Sequence, residues 1–261
     1  MFAFRDAHRR VDVAFTDRHR DLGAGPSASL GPADTSLDLA GPADRCAEDL
    51  RLVADALARG HADRDDPSAL SVRTPPPHLA TMHQVHGATV DVVDQPALGR
   101  HEAPVADALV TSLPGVALLV RVADCVPVLL ADATAGVVAA VHAGRPGLVA
   151  GVVPEAVRVM RARGATSIRA WVGPHVCGSC YEVPESMREE VAAAVRQAWA
   201  ETSWGTPSVD IGAGVRAQLR QHDVHPVVDV QRCTLEDPDL YSYRRQGNDA
   251  GRLGGLVWIR P

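Results

Sequence analysis

A long apolar stretch in the middle of the chain has a cysteine near one end and a histidine near the other. It runs over Ala123–Gly144 and reads ADCVPVLLADATAGVVAAVHAG, with Cys125 and His142 as its reactive side chains. Residues 126–131 and 137–141 have the composition of short buried strands, and the turn residues between them predict a β-hairpin. This hairpin would carry the thiol and the imidazole at its open end.

The register of the hairpin decides whether the two side chains meet. A turn centred between Ala133 and Thr134 would place Cys125 directly opposite His142, on the same face and with Cβ atoms about 5 Å apart. At that separation a thiolate and an imidazole can share a metal ion, or act as a nucleophile and its base. The alternative is a buried cysteine beside an ordinary core histidine, because cysteine is among the most buried residue types.

A third candidate donor, His86, precedes a glycine in the segment MHQVHG, at the presumed end of a strand. Taken singly, a histidine in a turn is more often merely exposed. Together with Cys125 and His142 it completes a His/Cys/His set, and three protein ligands with one open position are typical of catalytic zinc. A water molecule in the open position would have its pKa lowered to about 7.

The segment HAGRPG, at residues 142–147, follows directly. Glycines that lead into a helix expose unpaired backbone N–H groups, and the helix dipole adds positive character there. Gly144, Arg145 and Gly147 therefore predict a phosphate or other anion site beside the metal, with a plain strand-to-helix turn as the alternative. Arg244, in LYSYRRQG, could bind an anionic group through its planar guanidinium or be a surface charge at a strand end.

The cysteines are odd in number and sparse, which does not suit a disulfide scaffold and favours a reducing cytoplasm; they stand at positions 46, 125, 177, 180 and 233. Cys177 and Cys180 form a C-x-x-C pair. A structural zinc site would need a second pair, and the remaining cysteines are isolated in the sequence. No thioredoxin-like pattern surrounds the pair either, so we interpret Cys177 and Cys180 as structural residues.

Composition excludes several classes of function. The 261 residues carry 26 basic and 32 acidic side chains, a net charge of −6, which argues against a general nucleic-acid binder. All the basic residues are arginine, so lysine Schiff-base chemistry and a P-loop lysine are excluded. No apolar run reaches the length of a membrane helix, and the first residues lack a signal-peptide pattern, so we expect no membrane partner.

The surrounding elements interleave strands and helices without a regular βαβ order. Strand patterns occur at 11–16, within 79–143, and at 167–173, 225–231 and 254–261. Helical patterns occur at 47–58, at 147–164 with a kink or new start at Pro154, and at 184–200 and 210–221. A Gly/Pro/Ser-rich stretch over 23–45 predicts a long loop. We predict an α+β fold in which a single domain, residues 1–261, forms a large mixed β-sheet packed by helices.

Seven motifs occur in a fixed order between residues 79 and 259: QVHGATV, ADALVT, ADCVPVLLAD, VAAVHAG, VGPHVCGSCYEV, CTLEDPDLYSYRR and AGRLGGLVWI. Together they resemble the YfiH-type laccase-domain family. That family was named historically for polyphenol oxidases and is associated with purine nucleoside phosphorolysis. The N-terminal third of the chain matches the family more loosely.

The resemblance implies that His86, Cys125 and His142 bind zinc, with copper as the other candidate metal, and form the catalytic set. It implies a large mixed sheet distantly similar to the deamidating domain of cytotoxic necrotizing toxins, whose relatives use a cysteine and a histidine as a catalytic pair. Inosine, adenosine or guanosine would react with phosphate, held near Arg145, to give a free base and ribose 1-phosphate. Deamination of adenosine is a second activity that the same site could share.

The chain departs from the family at two places. It reads HAGRPG where the family usually has H-A-G-W-R-G, and Cys177 stands where glycine is usual. Two alternatives therefore remain: a metal-free cysteine hydrolase or amidase with Cys125 as nucleophile and His142 as base, and a non-catalytic metal-binding protein of cell-wall quality control. A true multicopper oxidase would need paired H-x-H motifs, and none of the 11 histidines is so arranged.

Overall fold

The structure, a computed structural model, describes residues 1–19, 48–49, 51–53, 55–56, 77–95 and 103–261. The loop predicted at 23–45 lies outside these residues. So does part of the helix predicted at 47–58, whose described residues are all helical. No helix among the described residues is long and apolar enough to span a membrane.

The described strands and α-helices alternate irregularly along the chain. The strands are β1 (Phe2–His8), β2 (Val11–Thr16), β3 (His78–Ala80), β4 (Val90–Val93), β5 (Ala108–Thr111), β6 (Val116–Val122), β7 (Val126–Asp132), β8 (Val137–Ala143), β9 (Arg169–Val172), β10 (Trp199–Glu201), β11 (Pro207–Val209), β12 (Val227–Asp229) and β13 (Leu253–Ile259). The helices are α1 (Arg145–Ala150), α2 (Val152–Ala162), α3 (Glu185–Ala194), α4 (Ile211–Gln221) and α5 (Tyr243–Gln246).

Most of these strands belong to two mixed sheets. One has five strands in the order β1-β2-β13-β6-β3, and the other has six in the order β12-β9-β7-β8-β5-β4. Parallel pairs at the sheet edges (β3 with β6, β4 with β5, β12 with β9) join antiparallel neighbours. The predicted class, a mixed β-structure packed by helices, is confirmed, with its strands divided between two large sheets.

The six-stranded sheet is buried on both faces. On one face, Leu130 of β7 shares an apolar cluster with Met160 of α2. On the other face, Leu129 shares a cluster with Phe15 of the five-stranded sheet. Burial on both faces explains why β7 and β8 appear in the sequence as continuous apolar runs without polar alternation.

The helical pattern at 147–164 corresponds to two helices. Gly151, at φ +80°, ends α1 in a left-handed conformation, and α2 begins at the next residue. The new start expected near Pro154 is confirmed, since proline is tolerated in the first turn of α2.

The helix predicted over 184–200 is wrong in its second half. The helix ends at Ala194, and Trp199–Glu201 form a strand instead. Trp199 pairs with Val209 and Glu201 with Pro207. Pairing with a distant segment therefore overrides the local helical pattern, which the sequence pattern alone does not reveal.

Candidate metal and active site

Cys125 and His142 lie at the open end of the β7–β8 hairpin, in a register that differs from the predicted one. Pro127, not Cys125, pairs with His142. The predicted register is wrong by two residues because β7 continues through Asp132, whose carboxylate accepts hydrogen bonds of 2.9 Å from the N–H groups of residues 134 and 135 and closes a tighter turn. A shift of two residues keeps every side chain on its face, so Cys125 and His142 are diagonal neighbours.

His86 joins these two side chains from a neighbouring bend. It lies between β3 and β4 at φ +63°, where a turn at residues 86–87 was expected from the sequence. The donor atoms of His86, Cys125 and His142 all lie within 4.8 Å of one another. Cys125 Sγ is 3.7 Å from His86 Nε2, and the two imidazole rings meet edge to face with centroids 4.7 Å apart. The structure therefore brings the predicted set together.

Asp107, which sequence reasoning did not single out, orients this set from behind. It is fully buried directly before β5. Its Oδ1 lies 2.8 Å from His142 Nδ1 and accepts a 2.9 Å hydrogen bond from the backbone N–H of His86, while Oδ2 accepts one of 2.6 Å from the N–H of Gly87. With Nδ1 of His142 engaged, Nε2 is left for the thiol or for a metal. The only sequence signal was its place in the motif ADALVT.

Hydrogen bonds and neighbouring charges outweigh burial in setting the pKa values of Cys125 and His142. Burial raises the pKa of the Cys125 thiol, but hydrogen bonds and charges from His142 and His86 outweigh it and lower that pKa to about 6. Burial also opposes the charged form of His142, whereas Asp107 and Cys125 raise its pKa to about 9. Without a metal, these two shifts favour a thiolate at Cys125 beside an imidazolium at His142 at neutral pH.

The donor set fits a divalent transition metal. One thiolate and two imidazoles suit zinc, and copper accepts the same donors. A ligating histidine usually has its second ring nitrogen bonded to a carboxylate, as His142 does with Asp107. Three protein donors leave one position of a tetrahedral ion for water or substrate. His86, Cys125 and His142 are thus the residues that would hold such an ion.

Gly144 and Gly147 allow the start of α1 to pack directly on the bend that carries His86. A Cβ atom at Gly144 would lie 2.6 Å from His86 Cδ2 and 3.2 Å from Cys125 Sγ. A Cβ atom at Gly147 would lie 2.9 Å from the carbonyl oxygen of Gly87. Besides the anion site predicted from the sequence, both glycines therefore have a packing role next to the donor atoms.

We expect Gly144→Ala to weaken zinc binding by about 10–100-fold, the range seen when the support of a ligand is lost. Gly144 has φ −77°, which alanine adopts freely, so the cost is the steric displacement of His86. Competition with a chromophoric chelator measures the affinity. Gly87→Ala is the matched control, since the nearest atom to its Cβ would lie at 3.4 Å. Equal zinc affinities for wild type and Gly144→Ala would contradict the assignment of His86 as a ligand.

The donor set opens on a cavity of about 670 Å³ with a cationic lining. Its arginines are Arg121, Arg145, Arg244 and Arg252, and Tyr181 and Tyr243 add aromatic surface. Arg145 lies 3.8 Å from a carboxylate oxygen of Glu190, and the guanidinium of Arg244 lies 4.5 Å from the centre of the Tyr181 ring. Arg145 and Arg244, both predicted to bind an anion, therefore line the same cavity as the predicted metal ligands.

Asp124, also not identified from the sequence, ties this cavity wall to Cys125. It is buried, with φ +89°, directly before the cysteine. Its Oδ1 accepts a 2.6 Å hydrogen bond from the hydroxyl of Thr234, and its Oδ2 accepts one of 2.7 Å from the backbone N–H of Arg244. The segment that carries Arg244 is thereby held next to the donor set.

The C-x-x-C pair has a neighbour that the sequence did not predict. Cys233 and Glu236 lie with Cys177 and Cys180, and the donor atoms of all four lie within 4.8 Å of one another. The interpretation of the remaining cysteines as isolated is therefore wrong for Cys233.

Comparison with known proteins identifies the family to which the chain belongs. Residues 51–260 match the family model described as multi-copper polyphenol oxidoreductase laccase, and the chain belongs to that family. A Streptomyces coelicolor protein named purine nucleoside phosphorylase is 53% identical over 214 residues, 78% of this chain and 88% of that protein. A Mycobacterium bovis protein of the same name is 45% identical over 207 residues, 75% of this chain and 81% of that protein.

Two solved structures share the fold. A Neisseria meningitidis protein has a TM-score of 0.77 at 26% identity, covering 100% of this chain and 99% of its own. The YfiH protein of Bacillus licheniformis has a TM-score of 0.75 at 21% identity, covering 96% of this chain and 93% of its own. The resemblance to YfiH-type proteins is confirmed.

Proposed function

We propose that this protein is a purine nucleoside phosphorylase whose active site is the metal-binding set His86, Cys125 and His142. It would convert inosine, adenosine or guanosine and phosphate into a free base and ribose 1-phosphate. The observation that supports this most directly is the shared cavity, in which a metal-type donor set faces two arginines suited to phosphate, Arg145 and Arg244. Relatives named for this activity at 45–53% identity support it as well.

The cavity residues fit the parts of this reaction. Arg145 and Arg244 would neutralise the phosphate, since guanidinium groups bind phosphate oxygens through two parallel hydrogen bonds. A phosphate oxygen would attack C1′ of the ribose as the bond from C1′ to the base nitrogen breaks, and that electron pair would leave with the base, which takes up a proton. The rings of Tyr181 and Tyr243 offer surface on which a purine could stack. The metal, zinc or copper, would supply a Lewis acid where His86, Cys125 and His142 line the cavity.

Product analysis tests the proposal. The full chain, purified without chelator, is incubated with each nucleoside in the presence and absence of phosphate, and the products are separated by chromatography. We expect free base and ribose 1-phosphate only when phosphate is present. Inosine formed from adenosine would add the deaminase activity that a His/Cys/His site with an open position can also serve. If neither free base nor ribose 1-phosphate appears, the phosphorylase proposal is wrong, whether or not inosine forms from adenosine.

The charges of the site favour one second candidate, a metal-free cysteine hydrolase. A Cys125 thiol with its pKa lowered to about 6, beside a histidine that Asp107 orients, has the arrangement of an activated nucleophile and base. A thiolate that binds metal is not free to attack a carbonyl. Stoichiometric metal in the purified protein, together with protection of Cys125 from iodoacetamide until a chelator is added, would exclude this candidate.

Removing either predicted phosphate ligand should raise the KM for phosphate. Arg145→Gln and Arg244→Gln each delete a charged hydrogen-bond donor of the cavity, and such bonds are worth about 1.5–3 kcal/mol, or about 10–100-fold in KM. Steady-state kinetics with varied phosphate measure the effect. Arg158→Gln is the matched control, because Arg158 pairs with Glu155 on the exposed face of α2 and does not line this cavity. A phosphate KM that is unchanged in both cavity variants would contradict the assignment.

A further inference from the structure

A second group of metal-type donors lies outside the cavity described above. It contains the side chains of Cys177, Cys180, Cys233 and Glu236, whose sulfur and carboxylate oxygen atoms all lie within 4.8 Å of one another. None of these residues has a part in the proposed phosphorolysis. The group is therefore a separate cluster of donor atoms, with three sulfur atoms where the first set has one.

The topology of the sheet brings these residues together. The two donor segments follow β9 and β12, which are neighbouring parallel strands, so the chain leaves both strands at the same edge of the sheet. The pairing continues past the strands, since His175 and Cys233 form an isolated parallel bridge. The N–H of His175 donates to the carbonyl of Arg232 at 3.2 Å, and the N–H of Thr234 donates to the carbonyl of His175 at 3.1 Å. The distance between the two segments is therefore fixed by backbone hydrogen bonds.

The loop from Cys177 to Cys180 has the form of a metal-binding turn. The N–H of Cys180 donates to the carbonyl of Cys177 at 3.0 Å, so that both sulfur atoms project from one tight turn. The N–H of Cys177 also donates to Cys233 Sγ at 3.4 Å, which joins this turn directly to the second donor segment. A Cβ atom at Gly178 would lie only 2.7 Å from the Cβ atom of Asp210, so glycine permits this turn to pack on the start of α4.

We propose that Cys177, Cys180 and Cys233, with Glu236 as the fourth ligand, bind a structural zinc ion. Three thiolates and one carboxylate make a closed tetrahedral donor set, and soft sulfur ligands select zinc over magnesium or calcium. With Zn–S bonds of about 2.3 Å, sulfur atoms in a tetrahedral site lie about 3.8 Å apart. Because the donor atoms all lie within 4.8 Å of one another, each pair needs to approach by about 1 Å at most. A disulfide would use two of the sulfur atoms and leave the third thiol and the carboxylate of Glu236, 3.3 Å from Cys180 Sγ, without a role.

This zinc ion would brace the wall of the nucleoside cavity. Tyr181, which lies under the guanidinium of Arg244, directly follows the ligand Cys180. Thr234, which donates to Asp124 next to the active-site cysteine, directly follows the ligand Cys233. An ion that joins the two loops therefore fixes both sides of the wall at once. A neighbouring cavity of about 510 Å³, lined in part by Cys177, Cys233 and Glu236, gives the ion an entry path.

Counting metal ions tests this site independently of activity. The full chain is loaded with zinc, freed of excess ion, and analysed for zinc by mass spectrometry. We expect about two ions per chain in the wild type, about one in Cys125→Ser, about one in the double variant Cys177→Ser/Cys233→Ser, and none when all three changes are combined. Substitution with Co²⁺ should give sulfur-to-cobalt charge-transfer absorption. The loss of this absorption should be larger in the double variant than in Cys125→Ser, because three of the four thiolates belong to this group.

A milder variant tests the site even if the cysteine variants misfold. Glu236 is exposed, so Glu236→Gln should fold and lower the zinc affinity of this site by about tenfold or more, since even indirect partners of a metal are worth about 10–100-fold. Glu189→Gln, at another exposed glutamate, is the matched control. Two results would overturn the proposal: a wild-type zinc content that the double variant does not lower, or a disulfide among these cysteines in protein purified and alkylated under argon. If the wild type binds only one ion, and this ion is kept in Cys125→Ser but absent from the double variant, the result would support this site while contradicting the metal in the proposed active site.

Discussion

Cys125→Ser is expected to remove the active-site metal and the nucleoside turnover together. Cys125 provides one of three donor atoms that lie within 4.8 Å of one another, and a serine hydroxyl stays protonated at neutral pH. Even outer partners of metal ligands are worth about 10–100-fold, so loss of a direct ligand should lower metal affinity and kcat/KM for inosine by at least about 100-fold. The fold should persist, because Cys125 is half-buried at the cavity, where a hydroxyl can be hydrated.

Metal content, melting temperature and turnover of this one variant separate three roles of Cys125. If Cys125 acts as a nucleophile without metal, turnover falls while metal content stays the same. If it is an ordinary core cysteine, the variant loses about 1–3 kcal/mol of stability and keeps its metal. Because a second zinc ion is proposed at Cys177, Cys180 and Cys233, the ligand assignment requires the loss of one ion of two. Metal at the wild-type level would contradict it.

The β7–β8 hairpin shows which features of the site could be predicted from the sequence pattern. The apolar runs of β7 and β8 predicted two paired strands, and both are present. The register was wrong by two residues because the side chain of Asp132 closes the turn, a contact that residue types alone do not indicate. An even shift preserves the face of every residue, so Cys125 and His142 meet although the predicted pairing does not occur.

Other features of the fold and site depend on contacts between distant parts of the chain. Asp107 and Asp124 act mainly as acceptors for backbone N–H groups and one hydroxyl, and such roles leave no periodic pattern in the sequence. The division of the strands into two sheets cannot be predicted from the sequence pattern either, because a strand buried on both faces has the same apolar run in either sheet. Cys233 lies far from the C-x-x-C pair in sequence and reaches it only because β9 and β12 are neighbours.

Asp107→Asn should weaken metal binding and turnover although it replaces none of the proposed metal ligands. The carboxylate accepts from His142 Nδ1 and from the N–H groups of residues 85–87, and an amide can accept on one side only. In either orientation its NH₂ group faces a donor, at a cost of about 1–3 kcal/mol of stability for a buried unsatisfied group. Metal affinity and turnover should fall by about 10–100-fold, as for other lost partners of ligating histidines.

The pH dependence of thiol alkylation gives a readout that a merely structural role of Asp107 would not move. In the metal-free wild type, the pKa of Cys125 is lowered to about 6, so the rate of its reaction with iodoacetamide should be full at pH 7 and fall as the pH drops through 6. Asp107 and Cys125 together raise the pKa of His142 to about 9, so Asp107 helps to keep beside the thiol the positive charge that stabilises the thiolate. Without that carboxylate the thiol pKa should rise, and the rate at pH 7 should fall by about tenfold or more. Asp223→Asn, at an exposed carboxylate after α4, is the matched control. An Asp107→Asn variant that keeps both the alkylation profile and the zinc affinity of the wild type would contradict the role assigned to this carboxylate.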